Sequence, residues 1–214
     1  MNIVITGANR GIGAAMATLY RADRHTVIGT SRDATCDAEL DVTRQDQQAA
    51  LALDLKDWPV DLLICNAGVF LDKGEQLETG YAPDLWAKTF AANVTGVFLT
   101  IQSLLPSLRL SSAPKIAIIS SQMASDTHAP GGSYIYRASK AAALNLGRNL
   151  AADLKPQGMA VGIYHPGWVQ TDMGGSSADI TEDQSAKGLI QRFNALTLET
   201  TGCFETWDGR AHPF

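Results

Sequence analysis

Charged residues are scarce in this chain. Only 18% of its 214 residues are Asp, Glu, Lys or Arg, and 17 basic against 22 acidic side chains leave a formal charge of −5. The basic residues form no cluster, which argues against a nucleic-acid partner and against an anionic membrane surface. Cysteine is sparse too. Cys36, Cys65 and Cys203 are odd in number and lack metal-ligand spacing, so no metal site is expected and a reduced compartment is. No apolar run reads as long enough to span a bilayer. Met1 leads straight into the strand-like NIVIT, without the charged start, long apolar run and cleavage site of an export signal. The cytoplasm is the expected location. What remains is a sequence that is 45% hydrophobic, with no internal repeat, low-complexity tract or linker. Its length and apolar content suit one domain over residues 1–214 with a sizeable core.

Short apolar runs alternate with helical patterns along the chain. Asn2–Thr6 ends in TGANRGIG, Thr6 to Gly13, which opens a helix to about Arg21. Glycines between a strand and a helix let the backbone approach a ligand, and the helix N-terminus offers unpaired N–H groups to a pyrophosphate. A second strand, Thr26–Gly29, ends in Thr30-Ser31-Arg32-Asp33, where a dinucleotide fold meets the adenosine ribose. An acidic side chain there would bond the 2′-hydroxyl of NAD, whereas arginine accommodates the 2′-phosphate of NADP. Arg32, with Arg10 from the glycine turn, favours NADP(H) over NAD(H). Asp33 is the counter-argument, although it sits past the strand end and suits the start of a turn.

A short strand near Glu39–Leu40 leads into Asp41-Val42-Thr43 and a polar helix to about Leu55. Asp41 has two readings, a bond to an adenine amino group or a helix N-cap. Leu62–Cys65 is a doubly buried strand that ends in Asn66-Ala67-Gly68. From Ala82 to about Leu108 a helical stretch carries Asn93 among apolar neighbours, where its amide must be satisfied either by the helix backbone or by facing a site. The strands Lys115–Ser120 and Ala160–Tyr164, a helix over 180–196 and a last strand at Cys203–Glu205 complete the pattern. This alternation predicts a Rossmann-type α/β fold, a doubly wound parallel sheet of about seven strands with ligands at the carboxyl ends.

The stretch from Ile118 to Lys140 gathers the chemistry. Tyr136 and Lys140 are four apart at the start of a helical run and so share one helix face. Ser121 reaches them from a strand end. A phenol titrates near 10, and lowering that by about three units takes about 4 kcal/mol. A cation about 4–5 Å away at an effective dielectric of about 20 supplies roughly that. Taken singly, each residue has a plain alternative: Tyr136 packed, Lys140 solvated and Ser121 ending a strand.

The motifs together resemble the short-chain dehydrogenase/reductase family along essentially the whole chain. TGANRGIG, CNAG at Cys65–Gly68, Asn93, Ser121, YRASK at Tyr136–Lys140 and PGWVQT at Pro166–Thr171 carry the resemblance. Within the family the chain is most similar to compact C-factor-like or sniffer-type carbonyl reductases, on SYIYRASKAAALN, HPGWVQTDMGG and the closing WDG. It departs at Cys65, where the family usually has a second asparagine, and at Ala124, commonly glycine. The stretch after Met173 leaves little room for a substrate lid, so an open, permissive pocket is expected.

The resemblance implies an oxidoreductase moving hydride between a nicotinamide and a carbonyl or secondary alcohol. Tyr136 would be the general acid or base, Lys140 would lower its pKa and bond the nicotinamide ribose, Ser121 would polarise the carbonyl, and Asn93 would anchor a water linking Lys140 to solvent. The cofactor surface would comprise Gly7, Asn9, Arg10, Gly11, Ile12 and Gly13; Arg32, Asp41 and Val42; Asn66, Ala67 and Gly68; Tyr136 and Lys140; and Pro166 and Gly167, with Val169 and Thr171 on the nicotinamide carboxamide. Trp168, Tyr134, Met173, Phe70 and His128 line a substrate pocket or belong to the core or rim. Family analogy suggests a homodimer or homotetramer through the small residues around Ala141–Ala152, with a monomer as the alternative. Two other functions fit parts of the sequence: a nucleotide-binding signalling protein of C-factor type with little turnover, and a sugar-nucleotide epimerase or dehydratase. The glycine spacing and the length weigh against the latter.

Overall fold

The structure is a computed structural model that describes residues 1–214. In chain order it contains β1 (Asn2–Thr6), α1 (Gly11–Ala22), β2 (Thr26–Ser31), β3 (Ala38–Glu39), α2 (Gln45–Asp54), β4 (Leu62–Cys65), α3 (Pro83–Phe90), α4 (Gly96–Leu108), β5 (Lys115–Ile119), α5 (Tyr134–Leu154), β6 (Ala160–His165), α6 (Glu182–Ala195) and β7 (Phe204–Thr206). The strands form one parallel sheet in the order β3-β2-β1-β4-β5-β6-β7.

Continuous apolar strands are the signature of a sheet covered on both faces, and period-two alternation divides their side chains. Ile3 and Ile5 of β1 point to one face, with Ile64 of β4 and Ala117 of β5, and pack on Met16, Ala17 and Tyr20 of α1 and on Leu189 and Phe193 of α6. Val4, Leu63, Ile116 and Ile118 point to the other, against Leu51 of α2 and Val97, Ile101, Leu104 and Leu108 of α4. The spacing of those four α4 positions is a helical stripe. Burying each such Leu or Ile contributes about 1.5–3 kcal/mol.

β1 pairs with β2 on one side and β4 on the other, so the strand order reverses there. The carboxyl ends of β1 and β4 therefore border a crevice at the topological switch point, where open α/β sheets bind ligands. A second device sets the far side of that crevice. A Cβ on Gly147 of α5 would lie 2.6 Å from Ile163 Cγ1 and 3.1 Å from Ile118 Cδ1. The bare glycine lets α5 settle onto β5 and β6, which brings its first two turns to the end of β5.

One expectation needs correction. α3, a π-helical turn at Ala91–Thr95 and α4 make a continuous helical run, Pro83–Leu108, of 26 residues. By length and composition this run is able to cross a bilayer, contrary to the expectation that no stretch is long enough. Half of its most apolar window is buried inside the fold. Its apolar character reflects packing against the sheet.

Candidate active site

The turn after β1 is tied to the end of β4 by two side chains, Thr6 and Asn66. Thr6 Oγ1 accepts the N–H groups of Asn66 and Ala67, both at 3.0 Å. The Asn66 amide donates to the carbonyls of Thr6 and Gly7, each at 3.0 Å. The two strand ends at the crevice are thus locked together. Gly7 has φ +67°, and a Cβ on Gly13 would strike the Gly7 carbonyl and lie 2.6 Å from Asn66 Nδ2. α1 begins at Gly11, inside the glycine motif, and its N-cap residue Arg10 makes no side-chain capping bond. The first-turn N–H groups of a helix lack intrahelical partners and carry partial positive charge. Left without a side-chain cap beside a crevice, they fit a pyrophosphate. The loop after β6 reaches the same turn, since a Cβ on Gly11 would be 3.5 Å from Thr171 Cγ2.

β2 runs two residues further than expected, to Ser31. Arg32 and Asp33 follow it, both exposed. The Asp33 carboxylate accepts the Thr35 hydroxyl at 2.7 Å and the Thr35 N–H at 3.3 Å. The Thr35 hydroxyl bond is the main cause that holds its pKa down at about 2. Asp33 therefore starts a turn. Asp41 is not the cap of α2, whose N-cap is Arg44; its carboxylate accepts the Thr43 N–H and hydroxyl at 2.9 and 2.7 Å. Burial pushes Asp41 upward, but the Thr43 bonds and the Arg32 charge outweigh it and hold the group below its ordinary value. Arg10 forms an exposed 2.5 Å ion pair with Asp172. Such a pair adds little stability, but it spans from the glycine turn to the loop after β6.

Ser121, Tyr136 and Lys140 come together beyond the end of β5, each less than a tenth exposed. Ser121 Oγ accepts the Met123 N–H at 3.1 Å and caps a short 3-10 turn, which fixes its rotamer. Lys140 Nζ donates to the Ile119 carbonyl at 3.0 Å and lies 5.6 Å from the Tyr136 ring centroid. Burial pushes the Lys140 ammonium down to about 8. Burial also pushes the Tyr136 phenol up to about 12; the Ser121 hydroxyl works against this and the Asp72 charge adds to it. The expected lowering of Tyr136 by Lys140 is thus reversed in this arrangement. The lysine is directed at the Ile119 carbonyl, and loss of hydration is the largest cause of the shift.

Asn93 sits in the π-helical turn and is buried. Its amide is not satisfied by the backbone of its own helix, and its Oδ1 lies beside Gly68 on the side where Lys140 Nζ also approaches. Its Oδ1 accepts the Val69 N–H at 2.8 Å, and its Nδ2 donates to the Val69 carbonyl at 2.9 Å and to Ser139 Oγ at 3.0 Å. The amide clamps the loop after β4 to α5. Gly68, next in that loop, leaves its Cβ position 3.4 Å from Lys140 Nζ.

Two further residues complete the site, of which sequence reasoning missed Asp72. Phe70, expected to line a substrate pocket or to belong to the core or rim, stacks on Tyr136 with ring centroids 4.2 Å apart and planes at 21°. Asp72 is fully buried, and its carboxylate accepts the Ile135 N–H at 2.9 Å and the Tyr136 N–H at 3.2 Å. Nothing in the run VFLDK marks it.

The loop after β6 is anchored from several sides. Val169 is buried and forms an isolated bridge with Ile180, Thr171 Oγ1 accepts the Gly174 N–H at 3.1 Å, and the Pro166 carbonyl accepts Ser185 Oγ at 2.6 Å. Gly167 turns there at φ +91°, against Trp207. Trp168, Tyr134 and Met173 are exposed, which places them at the rim. His128 borders a neighbouring cleft of about 400 Å³ with Met123, Asp126 and Arg137, a cleft that none of Ser121, Tyr136 and Lys140 lines.

The family model described as short chain dehydrogenase matches residues 1–182. C-signal of Myxococcus xanthus is 36% identical over 166 residues, 77% of this chain and 99% of that protein. Among solved structures, an NADPH-bound carbonyl reductase from chicken fatty liver superposes with a TM-score of 0.90 at 27% identity, covering 100% of this chain and 98% of that one. The carbonyl reductase Sniffer of D. melanogaster gives a TM-score of 0.90 at 25% identity over 100% and 99% of the two chains.

Proposed function

The chain belongs to the short-chain dehydrogenase family, and from that premise we propose that it is an NADP(H)-dependent carbonyl reductase or secondary-alcohol dehydrogenase. The observation that carries this reading is the burial of Ser121, Tyr136 and Lys140 together at the end of β5, across the crevice from an uncapped α1. A bound nicotinamide would be the source of the hydride for the carbonyl carbon. Tyr136, held protonated by its surroundings, donates to the carbonyl oxygen, and in oxidation it accepts that proton. Ser121 positions and polarises the same oxygen. Lys140 stays charged below about pH 8 and serves as a cationic anchor for the cofactor ribose. Asn93 holds the loop after β4 in place. Gly7, Asn9, Gly11, Ile12 and Gly13 would hold the pyrophosphate, Asn66, Ala67 and Gly68 would line the crevice beside the cofactor, and Pro166, Gly167, Val169 and Thr171 would hold the carboxamide.

Arg32 beyond β2, with Asp33 engaged in a turn, supports the choice of NADP(H), as does the NADPH in the chicken carbonyl reductase structure. Asp41 and Val42 complete the adenosine side. Three free thiols support a reducing compartment such as the cytoplasm. Ala138, Ala141 and Ala142 are only half-buried on α5, which supports a homodimer or homotetramer through that helix. The likeness to C-signal favours a second reading, a nucleotide-binding signalling protein with little turnover.

Loss of NADPH absorbance across a panel of ketones, aldehydes, quinones and diketones separates the two. Turnover with at least one carbonyl is expected; tight NADPH binding with no turnover across the panel contradicts the reductase and supports the signalling reading. Arg32→Ala should raise Kd for NADPH by roughly 10-fold or more, about 1.4 kcal/mol, and leave NADH nearly unchanged. Equal weakening of both would refute the cofactor assignment.

A further inference from the structure

α5 begins without a cap of its own. Its N-cap position, Ser133, is in the left-handed region at φ +47° and makes no side-chain capping bond, and no acidic residue stands in the first turn. The missing acceptor comes from 63 residues away. Asp72 Oδ2 accepts the Ile135 N–H at 2.9 Å, and the Tyr136 N–H points at both carboxylate oxygens, 3.2 and 3.3 Å away. Asp72 has no exposed surface, so it is dedicated to this contact.

We infer that Asp72 is the positioning residue for Tyr136, clamping the first turn of α5 from the loop after β4 so that the phenol meets the substrate oxygen. The inference rests on the reading of Tyr136 as proton donor. Tyr136 is the third residue of α5, inside the turn that frays when a cap is lost. The segment carrying Asp72 is itself held: Asn93 grips the Val69 peptide from both sides, and Phe70 stacks on the phenol. One short strap thus fixes Tyr136 by its ring and by its backbone. Its charge has a second effect. The charged groups acting at the phenol are Lys140, from the next turn of α5, and Asp72; the third neighbour, the Ser121 hydroxyl, is neutral. Asp72 pushes the phenol toward its protonated form, the form that donates.

Asp72→Ala and Asp72→Asn in the full chain test this through carbonyl reduction, the pH profile of alcohol oxidation and exchange of the Ile135 and Tyr136 amides. Asp72→Ala should lower kcat by roughly 30- to 100-fold, the scale of a misplacement of about 1 Å. NADPH affinity should stay unchanged, and the two amides should lose protection. Asp72→Asn keeps an acceptor but not the charge, so it should retain more of kcat while its oxidation rate rises at lower pH than in the wild type. Wild-type kcat in Asp72→Ala, or an unmoved oxidation profile in Asp72→Asn, would overturn the inference. If Asp72→Ala fails to fold, the Asp72→Asn profile decides alone. An active Tyr136→Phe variant would defeat the proton-donor reading itself, whereas an inactive one beside fully active Asp72 variants defeats only the clamp.

Discussion

Helices α1 and α5 both start at the crevice, and their first turns are treated in opposite ways. α1 is left open: its N-cap is an arginine with no capping bond, and glycines bring its backbone to the surface of the crevice. α5 is closed by a carboxylate buried out of solvent. The same kind of unpaired N–H group is left without a side-chain partner in one case, where we propose that a ligand takes it, and is bound by a side chain in the other. An open end leaves donors for an anion that arrives and departs. A closed end spends them on fixing a residue whose placement the chemistry depends on. α6, remote in purpose, has an ordinary local capping box from Thr181 and Gln184.

The sharpest way to break the comparison is to close the open end. Arg10→Asp places a capping carboxylate at the N-cap of α1. A new negative charge about 6 Å from a phosphate at an effective dielectric of about 20 costs about 3 kcal/mol, and the Arg10 cation is lost with it, so Kd for NADPH should rise by at least roughly 100-fold. Thermal stability should hold or improve. Unchanged NADPH affinity, read by titration calorimetry, would mean that this helix end does not face the cofactor.

The closed end makes a prediction in pH. Lys140 is buried, with its folded pKa near 8, below its unfolded value. The unfolded state therefore binds more protons between that value and its own, and this group's contribution to stability rises with pH through the window. The site loses its cation over the same window. kcat/KM for NADPH should fall above about pH 8, while stability measured relative to Lys140→Met rises. A rate flat to pH 10 would contradict the cationic role.

The smallest effect is expected at the local cap. Thr181→Ala removes the α6 capping box and should cost about 1 kcal/mol, a Tm decrease of about 2–4 °C, with kcat unaltered. A loss of kcat would mean that helix capping affects the site generally, and would weaken the distinction drawn for Asp72.

What was legible in the sequence follows from how local each signal is. β1 and β4 were legible to the residue because doubly buried strands are continuous apolar runs between turn residues. The glycine turn and the four-residue step from Tyr136 to Lys140 are local patterns as well. Asp72 was invisible because its partners lie 63 and 64 residues on, and Arg10–Asp172 because the pair spans 162. The π-helical turn has no compositional mark, so the continuous helix through Asn93 is legible but the grip of Asn93 on Val69 is not. The Tyr136 pKa ran opposite to expectation because a charge-to-charge estimate omits the hydration lost on burial.

The account stands on Tyr136 as the proton donor of a carbonyl reductase, and one paired measurement tests it. NADPH oxidation by a reactive carbonyl and NADPH binding are measured for the wild type and for Tyr136→Phe. Turnover should be abolished in the variant, with Kd for NADPH nearly intact. A Tyr136→Phe protein that reduces the same carbonyl at the wild-type rate would contradict the account.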